Sequence, residues 1–234
     1  MTSSLTQLPD HLPIPVDDGA CHHLLGSMLP SVNLLSTQGH WVNIAKNSRI
    51  QVIYCYPMTG RPDHPLPHGW DQIPGARGCT PQACSFRDHY QDLQSLGVDV
   101  YGISTQSHLD QREAATRLHL PFALLSDEEL AFTQALQLPT FEIDGKILIK
   151  RLTLITELNR IQKVFYPVFP PVDILPSLSR WLPLTRVPEP LGVLEKGVDS
   201  FCKTLMSKRE NIGGGIDVAV VECTALHTPP FPYS

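Results

Sequence analysis

The chain has 234 residues, 42% of them hydrophobic, and a formal net charge of −5 at pH 7. A chain of that length and apolar content can bury a full core without metal or disulfide staples, and its acidic balance carries no footprint for nucleic acid or an anionic membrane surface. No run of eighteen apolar residues occurs, so no membrane-spanning helix is predicted. The opening MTSSLTQLPDHLPIPVDDGA lacks the basic start and apolar run of a signal peptide. The expectation is a cytosolic protein, in which the six cysteines are reduced, catalytic or incidental rather than structurally bridged.

Residues 1–28 are polar and contain proline, and are expected to form an arm. SVNLLSTQGHWVNI (31–44) predicts a short hairpin turning at Gln38-Gly39. RIQVIYCYP (49–57) is a continuous apolar run ended by Pro57, the pattern of a strand buried on both faces. The segment 58–78 holds four more prolines and four glycines, a long loop of the kind that carries function. CTPQACSFRDHYQDLQSLG (79–97) predicts one helix, with Thr80 as N-cap, Pro81 in the first turn and Gly97 as its stop. A strand at 98–105, a helix at 108–119, a short strand at 122–127 and a helix at 128–136 follow. Asp144-Gly145 between apolar flanks marks a hairpin over 140–149. Two strands, 150–156 and 160–168, precede a closing helix at 172–182. This alternation implies an α/β fold with a mixed central sheet flanked by helices. Residues 183–234 read as a C-terminal appendage with no functional signal of their own.

Cys79 and Cys84 are the one closely spaced cysteine pair. A zinc site would call for a second pair at similar spacing, and the scattered histidines supply none. A static disulfide is disfavoured as well. Residues five apart in a helix have Cα atoms roughly 8–9 Å apart, whereas a bridge needs less than about 7 Å. A bridge could form only after the first turn unwound. Two readings remain, packed thiols or a reactive pair. Cys84 suits the first. Cys79, at a helix N-terminus with Arg77 and the side-chain-free Gly78 beside it, suits the second, because a helix start stabilises a thiolate.

Several ordered segments resemble the peroxiredoxins, and within them the bacterioferritin-comigratory or Q-type branch. These are Tyr56-Pro57, GCTPQACSFRD (78–88), VYGISTQS (100–107), LPFALLSDEE (120–129) and the block from Gly145 to Val168 containing RLTL and RIQKVFYPV, with the hairpin LPSVNLLSTQGHWVNIA (29–45) in front. The resemblance covers about residues 29–182 and implies a thioredoxin-like domain, with 58–78 as an inserted active-site loop. It implies reduction of hydrogen peroxide and organic hydroperoxides, with thioredoxin or a similar dithiol as reductant and neither cofactor nor metal. Cys79 matches the peroxidatic cysteine, Cys84 the resolving cysteine, and Arg151 the arginine that faces the thiolate. The sulfur would pass through a sulfenic acid to an intramolecular disulfide.

One departure stands out. The family places a proline seven residues and a threonine or serine three residues before the peroxidatic cysteine. Gln72 and Ala76 occupy those positions here, and Pro57 lies 22 residues upstream of Cys79. Peroxide binding is therefore expected to draw on Pro57 and on one of two alternatives: Thr59 folding back into the threonine's role, or, if Thr59 is a plain loop residue, the backbone N–H groups at Gly78 and Cys79. The missing threonine also keeps open an alternative, a thiol–disulfide oxidoreductase or redox sensor with weak peroxidase activity.

Overall fold

The computed structural model describes residues 8, 9 and 11–182. The expected appendage at 183–234, with Cys202 and Cys223, and the first seven residues of the arm lie outside the described residues.

A short hairpin, β1 (Leu34–Ser36) and β2 (Trp41–Val42), precedes β3 (Ile50–Cys55). Two helices follow, α1 (Cys79–Asp88) and α2 (Tyr90–Ser95), then β4 (Val98–Ser104), α3 (His108–Arg117), β5 (Leu124–Ser126) and α4 (Ala131–Ala135). The chain continues through β6 (Thr140–Ile143), β7 (Lys146–Ile149), β8 (Leu152–Glu157), β9 (Arg160–Phe165) and α5 (Ile174–Trp181). Seven strands form one sheet in the order β2-β1-β5-β4-β3-β8-β9. β4 runs parallel to both β3 and β5, while β1 and β8 pair antiparallel with this central trio. Helical crossovers join the parallel neighbours, and tight turns join the outer antiparallel pairs β1–β2 and β8–β9.

Every residue of β3 is buried, because both faces of the sheet are covered. Successive side chains alternate between two cores. Ile53 and Cys55 join Ile103, Leu125, Phe132, Leu152 and Leu154 on one side. Val52 and Tyr54 join Phe86, Leu93, Leu124, Ile174 and Leu178 on the other. α1, α2 and α5 thus lie on the face that carries Tyr54, and α4 on the opposite face.

Two expectations need correction. The segment 79–97 is two helices, because His89 interrupts it with a non-helical backbone. The imidazole Nδ1 of His89 bonds the Ser85 carbonyl at 2.9 Å, and its own N–H turns to Arg87. A ring nitrogen has replaced the backbone donor in the helical ladder. The N-cap is also not Thr80. The helix begins at Cys79 after Gly78, whose φ is +98°, and Pro81 still lies in the first turn, where its missing N–H costs nothing. The Asp144-Gly145 hairpin forms as expected, with both residues at positive φ, but as a separate two-stranded ribbon. The inserted segment 58–78 contains a 3-10 turn at Trp70–Gln72. Trp70 is buried there with Ala76 and Leu148 and meets Phe141 of the ribbon at 6.1 Å between ring centroids.

Candidate active site

The site forms where the end of the inserted segment meets the start of α1. Phe86 anchors this helix, fully buried and stacked on Tyr54 with ring centroids 4.6 Å apart. Burying such a ring contributes about 1.5–3 kcal/mol, so the body of α1 is held firmly over β3. Its first turn is buried as well, through Cys79, Thr80, Gln82 and Ala83. Just ahead of it, Gly75 (φ +76°) and Gly78 (φ +98°) bracket Ala76 and Arg77. These left-handed turns curl the backbone so that consecutive carbonyls point the same way.

Those carbonyls converge on Arg151, which enters from the link between β7 and β8. Its Nε donates to the Gly75 carbonyl at 3.3 Å. Its Nη2 donates to the carbonyls of Ala76 at 3.3 Å and Arg77 at 3.0 Å, and its Nη1 donates to Gln82 Oε1. Nη2 also donates to Cys79 Sγ at 3.1 Å. Arg151 is 3% exposed, and no carboxylate is among these partners. Burying an ion costs several kcal/mol unless its charge is answered. The neutral oxygens answer part of it, and Cys79 sulfur is the partner here able to become an anion. As a thiol, Cys79 donates weakly to the Ala76 carbonyl at 3.5 Å. As a thiolate, it would accept the charge-assisted bond from Arg151.

The other described cysteines lack this environment. Burial pushes the Cys21 thiol up to about 12 and the Cys55 thiol higher still. Cys84, half-buried, is also raised, chiefly by burial and partly offset by Arg87. All four described cysteines are free. Cys79 and Cys84 both lie in α1, so a bond between them requires the first turn to open.

The structure therefore brings Cys79, Gly78 and Arg151 together. Gly78 does not leave open space, however. A Cβ there would sit 2.4 Å from Pro171 Cγ and 2.9 Å from Leu8 Cδ2, so those side chains fill the room expected for a ligand. Pro57 is buried, and its carbonyl accepts from Ser104 Oγ at 2.8 Å. Thr59 is turned elsewhere. Its N–H and hydroxyl both donate to Gln106 Oε1, at 2.8 and 3.1 Å, and it lines a 710 Å³ cavity shared with the exposed His64 and His68. Arg77, expected to add charge at the sulfur, is neutralised by Asp71 at 2.7 Å. Sequence reasoning missed Gln82, which is fully buried; a glutamine three residues after Cys79 carries no mark of that burial in the sequence. A second cavity of 310 Å³ touches Arg151 and Gly75, walled by Pro15, Val16, Ile73 and Phe141. Among the described residues no group of three or more acidic, His or Cys side chains is placed to hold a metal ion.

The fold and this arginine–cysteine pair define a thioredoxin-like thiol protein. The profile of the Redoxin family matches residues 24–178, and the chain belongs to that family. Relatives it matches include peroxiredoxins Q of plants. It is 36% identical over 104 residues to "Peroxiredoxin Q, chloroplastic" of Oryza sativa subsp. japonica, covering 44% of this chain and 41% of the relative. The protein of the same name from Sedum lineare is also 36% identical over 104 residues, covering 44% of this chain and 48% of that one. The matched stretch thus spans less than half the length of either relative. Among solved structures, peroxidoxin BcpB from Mycobacterium tuberculosis superposes with a TM-score of 0.56 at 20% identity, covering 70% of this chain and 98% of its own. A PrxQ mutant from Xylella fastidiosa gives 0.56 at 16% identity, covering 69% and 97%. At these identities the likeness is one of fold.

Proposed function

We propose that the chain is a thiol-dependent peroxidase acting on hydrogen peroxide and organic hydroperoxides, with Cys79 as peroxidatic and Cys84 as resolving cysteine. The observation that carries this reading is the buried Arg151 guanidinium 3.1 Å from Cys79 Sγ. The Cys79 thiolate attacks one oxygen of the hydroperoxide. An S–O bond forms as the O–O bond breaks, and the departing oxygen takes a proton and leaves as water or an alcohol. Sulfur, oxidised by two electrons, is then a sulfenic acid. The Cys84 thiol attacks that sulfur, forming the disulfide and expelling water. A dithiol reductant such as thioredoxin restores both thiols by exchange, which places the cycle in a reducing compartment such as the cytosol.

A coupled assay with thioredoxin, its reductase, hydrogen peroxide and a bulky hydroperoxide tests this. Cys79→Ser is expected to abolish turnover, and Cys84→Ser to leave a single oxidation ending in sulfenic acid. Unchanged turnover in Cys79→Ser would overturn the reading. A second reading, a thiol–disulfide oxidoreductase or redox sensor, is favoured by one observation. Ala76, fully buried with Trp70 and Leu148, stands where the family carries a peroxide-binding hydroxyl. That reading expects rapid exchange with dithiols and slow oxidation by peroxide.

A further inference from the structure

Leu8, Pro9 and residues 11–18 lie beside the loop that holds Arg151. Leu8 lies against Gly78 together with Pro171, and Pro15 Cγ is 3.4 Å from where a Cβ on Gly75 would stand. The segment is tied down at its far end. The Asp18 carboxylate accepts from Lys150 Nζ at 2.9 Å and from the Tyr166 hydroxyl at 2.9 Å, and Lys150 directly precedes Arg151. Beyond Asp18 the chain enters the core through Cys21 and Leu24. Between these ties Leu12, Pro13 and Pro15 are half-buried, while Ile14 and Val16 are 70% and 82% exposed and the 310 Å³ cavity is lined by Pro15 and Val16.

We infer that Leu8, Pro9 and residues 11–18 form a strap, latched at Asp18, that holds the loop 75–78 closed and must lift before Cys79 and Cys84 can bond. The inference rests on the peroxidase reading for its chemical consequence but not for its mechanics. Opening the first turn of α1 moves Gly78, which Leu8 touches, and frees the Gly75 segment, which Pro15 touches. The strap therefore favours the closed form, in which Arg151 faces the sulfur, and slows the step that follows. The delay has a chemical cost. A sulfenic acid on Cys79 either condenses with the Cys84 thiol, releasing water, or reacts with a second hydroperoxide to give a sulfinic acid and an alcohol or water. A tighter strap shifts the outcome toward the sulfinic acid.

The test compares the full-length protein with Asp18→Asn and with the double variant Leu8→Ala/Asp18→Asn. Rapid-quench mass spectrometry follows sulfenic acid, disulfide and sulfinic acid after mixing with hydrogen peroxide. Losing an exposed ion pair should accelerate disulfide formation by about two- to fivefold, and the double variant should exceed this. Sulfinic acid at excess peroxide should fall, while the first oxidation of Cys79 stays within about twofold of wild type. Phe132→Leu, in the core on the opposite face of the sheet, serves as a control for general destabilisation. Equal acceleration in Phe132→Leu, or an unchanged disulfide rate in the double variant, would overturn the strap. Hydrogen exchange of the reduced proteins gives a readout that needs no peroxide chemistry. Amides of residues 76–80 and 82 should exchange faster in the double variant, and unchanged exchange there also overturns the strap. If wild type forms no sulfenic acid while those amides do loosen, the peroxidase reading fails and the strap stands.

Discussion

Replacing Arg151 by Met removes the charge beside Cys79 while keeping a long side chain. The guanidinium supplies one hydrogen bond to the sulfur, at 3.1 Å, and three to the carbonyls of residues 75–77. A hydrogen bond involving a charged group is worth about 1.5–3 kcal/mol. At about 1.36 kcal/mol per decade of rate, its loss should slow oxidation of Cys79 by roughly 10- to 150-fold. The stranded carbonyls add a second effect, since each buried acceptor left unpaired costs about 1–3 kcal/mol. The loop should therefore loosen, and the melting temperature should fall as well. Arg151→Lys separates the two effects. It retains the charge but has three donors on a single nitrogen, which cannot span the five acceptors that the planar fork reaches. Its oxidation rate should fall between wild type and Arg151→Met. The assay is the second-order rate of sulfenic acid formation in the Cys84→Ser background, followed by stopped flow and dimedone trapping. A rate for Arg151→Met within about threefold of the parent, in a protein with an unchanged far-ultraviolet spectrum, would refute the proposed role of this charge.

Other substitutions probe the frame of the site. Gly78→Ala should be strongly destabilising by thermal melt, because the position has φ +98° and the added carbon would lie 2.4 Å from Pro171; a wild-type melting temperature would contradict this. Thr59→Val should leave the oxidation rate within about twofold, since the Thr59 hydroxyl is bonded to Gln106; a large loss would restore Thr59 to the site. The disulfide-forming step should accelerate as pH rises past 9. Burial raises the Cys84 thiol above its ordinary 9.0, so the attacking thiolate becomes abundant only in more alkaline solution. Single-turnover disulfide formation measured across pH 6–10 checks this, and a profile already flat from pH 7 would count against it.

Much of this architecture could be read from the chain. The unbroken apolar run of 49–57 announced a strand buried on both faces, and Asp144-Gly145 announced its hairpin, because both signals are local. The division of the 79–97 helix was hidden, since it depends on the His89 ring reaching back to the Ser85 carbonyl while the apolar spacing continues undisturbed. The N-cap was misplaced for a different reason. Gly78 takes its left-handed backbone where Leu8 and Pro171 close over it, contacts from opposite ends of the domain. Cys79 was singled out from its position at a helix start, but Arg151 gained its role only through the motif resemblance, because a strand arginine is ordinarily a surface charge. The three loop carbonyls that hold Arg151 had no signature at all, since every residue carries a carbonyl and only the positive φ of Gly75 and Gly78 aims these three. Trp70 was legible as part of an insertion, but not its burial with Ala76 and Leu148.

The central claim is that peroxide oxidises Cys79 and that Cys84 then captures the product. The direct measurement is intact-mass analysis and peptide mapping of the reduced protein after one equivalent of hydrogen peroxide. The account predicts the loss of two hydrogens, with a single new disulfide joining Cys79 to Cys84 and no change at Cys21 or Cys55. An unchanged mass, or oxidation that appears first at Cys21 or Cys55, would contradict it.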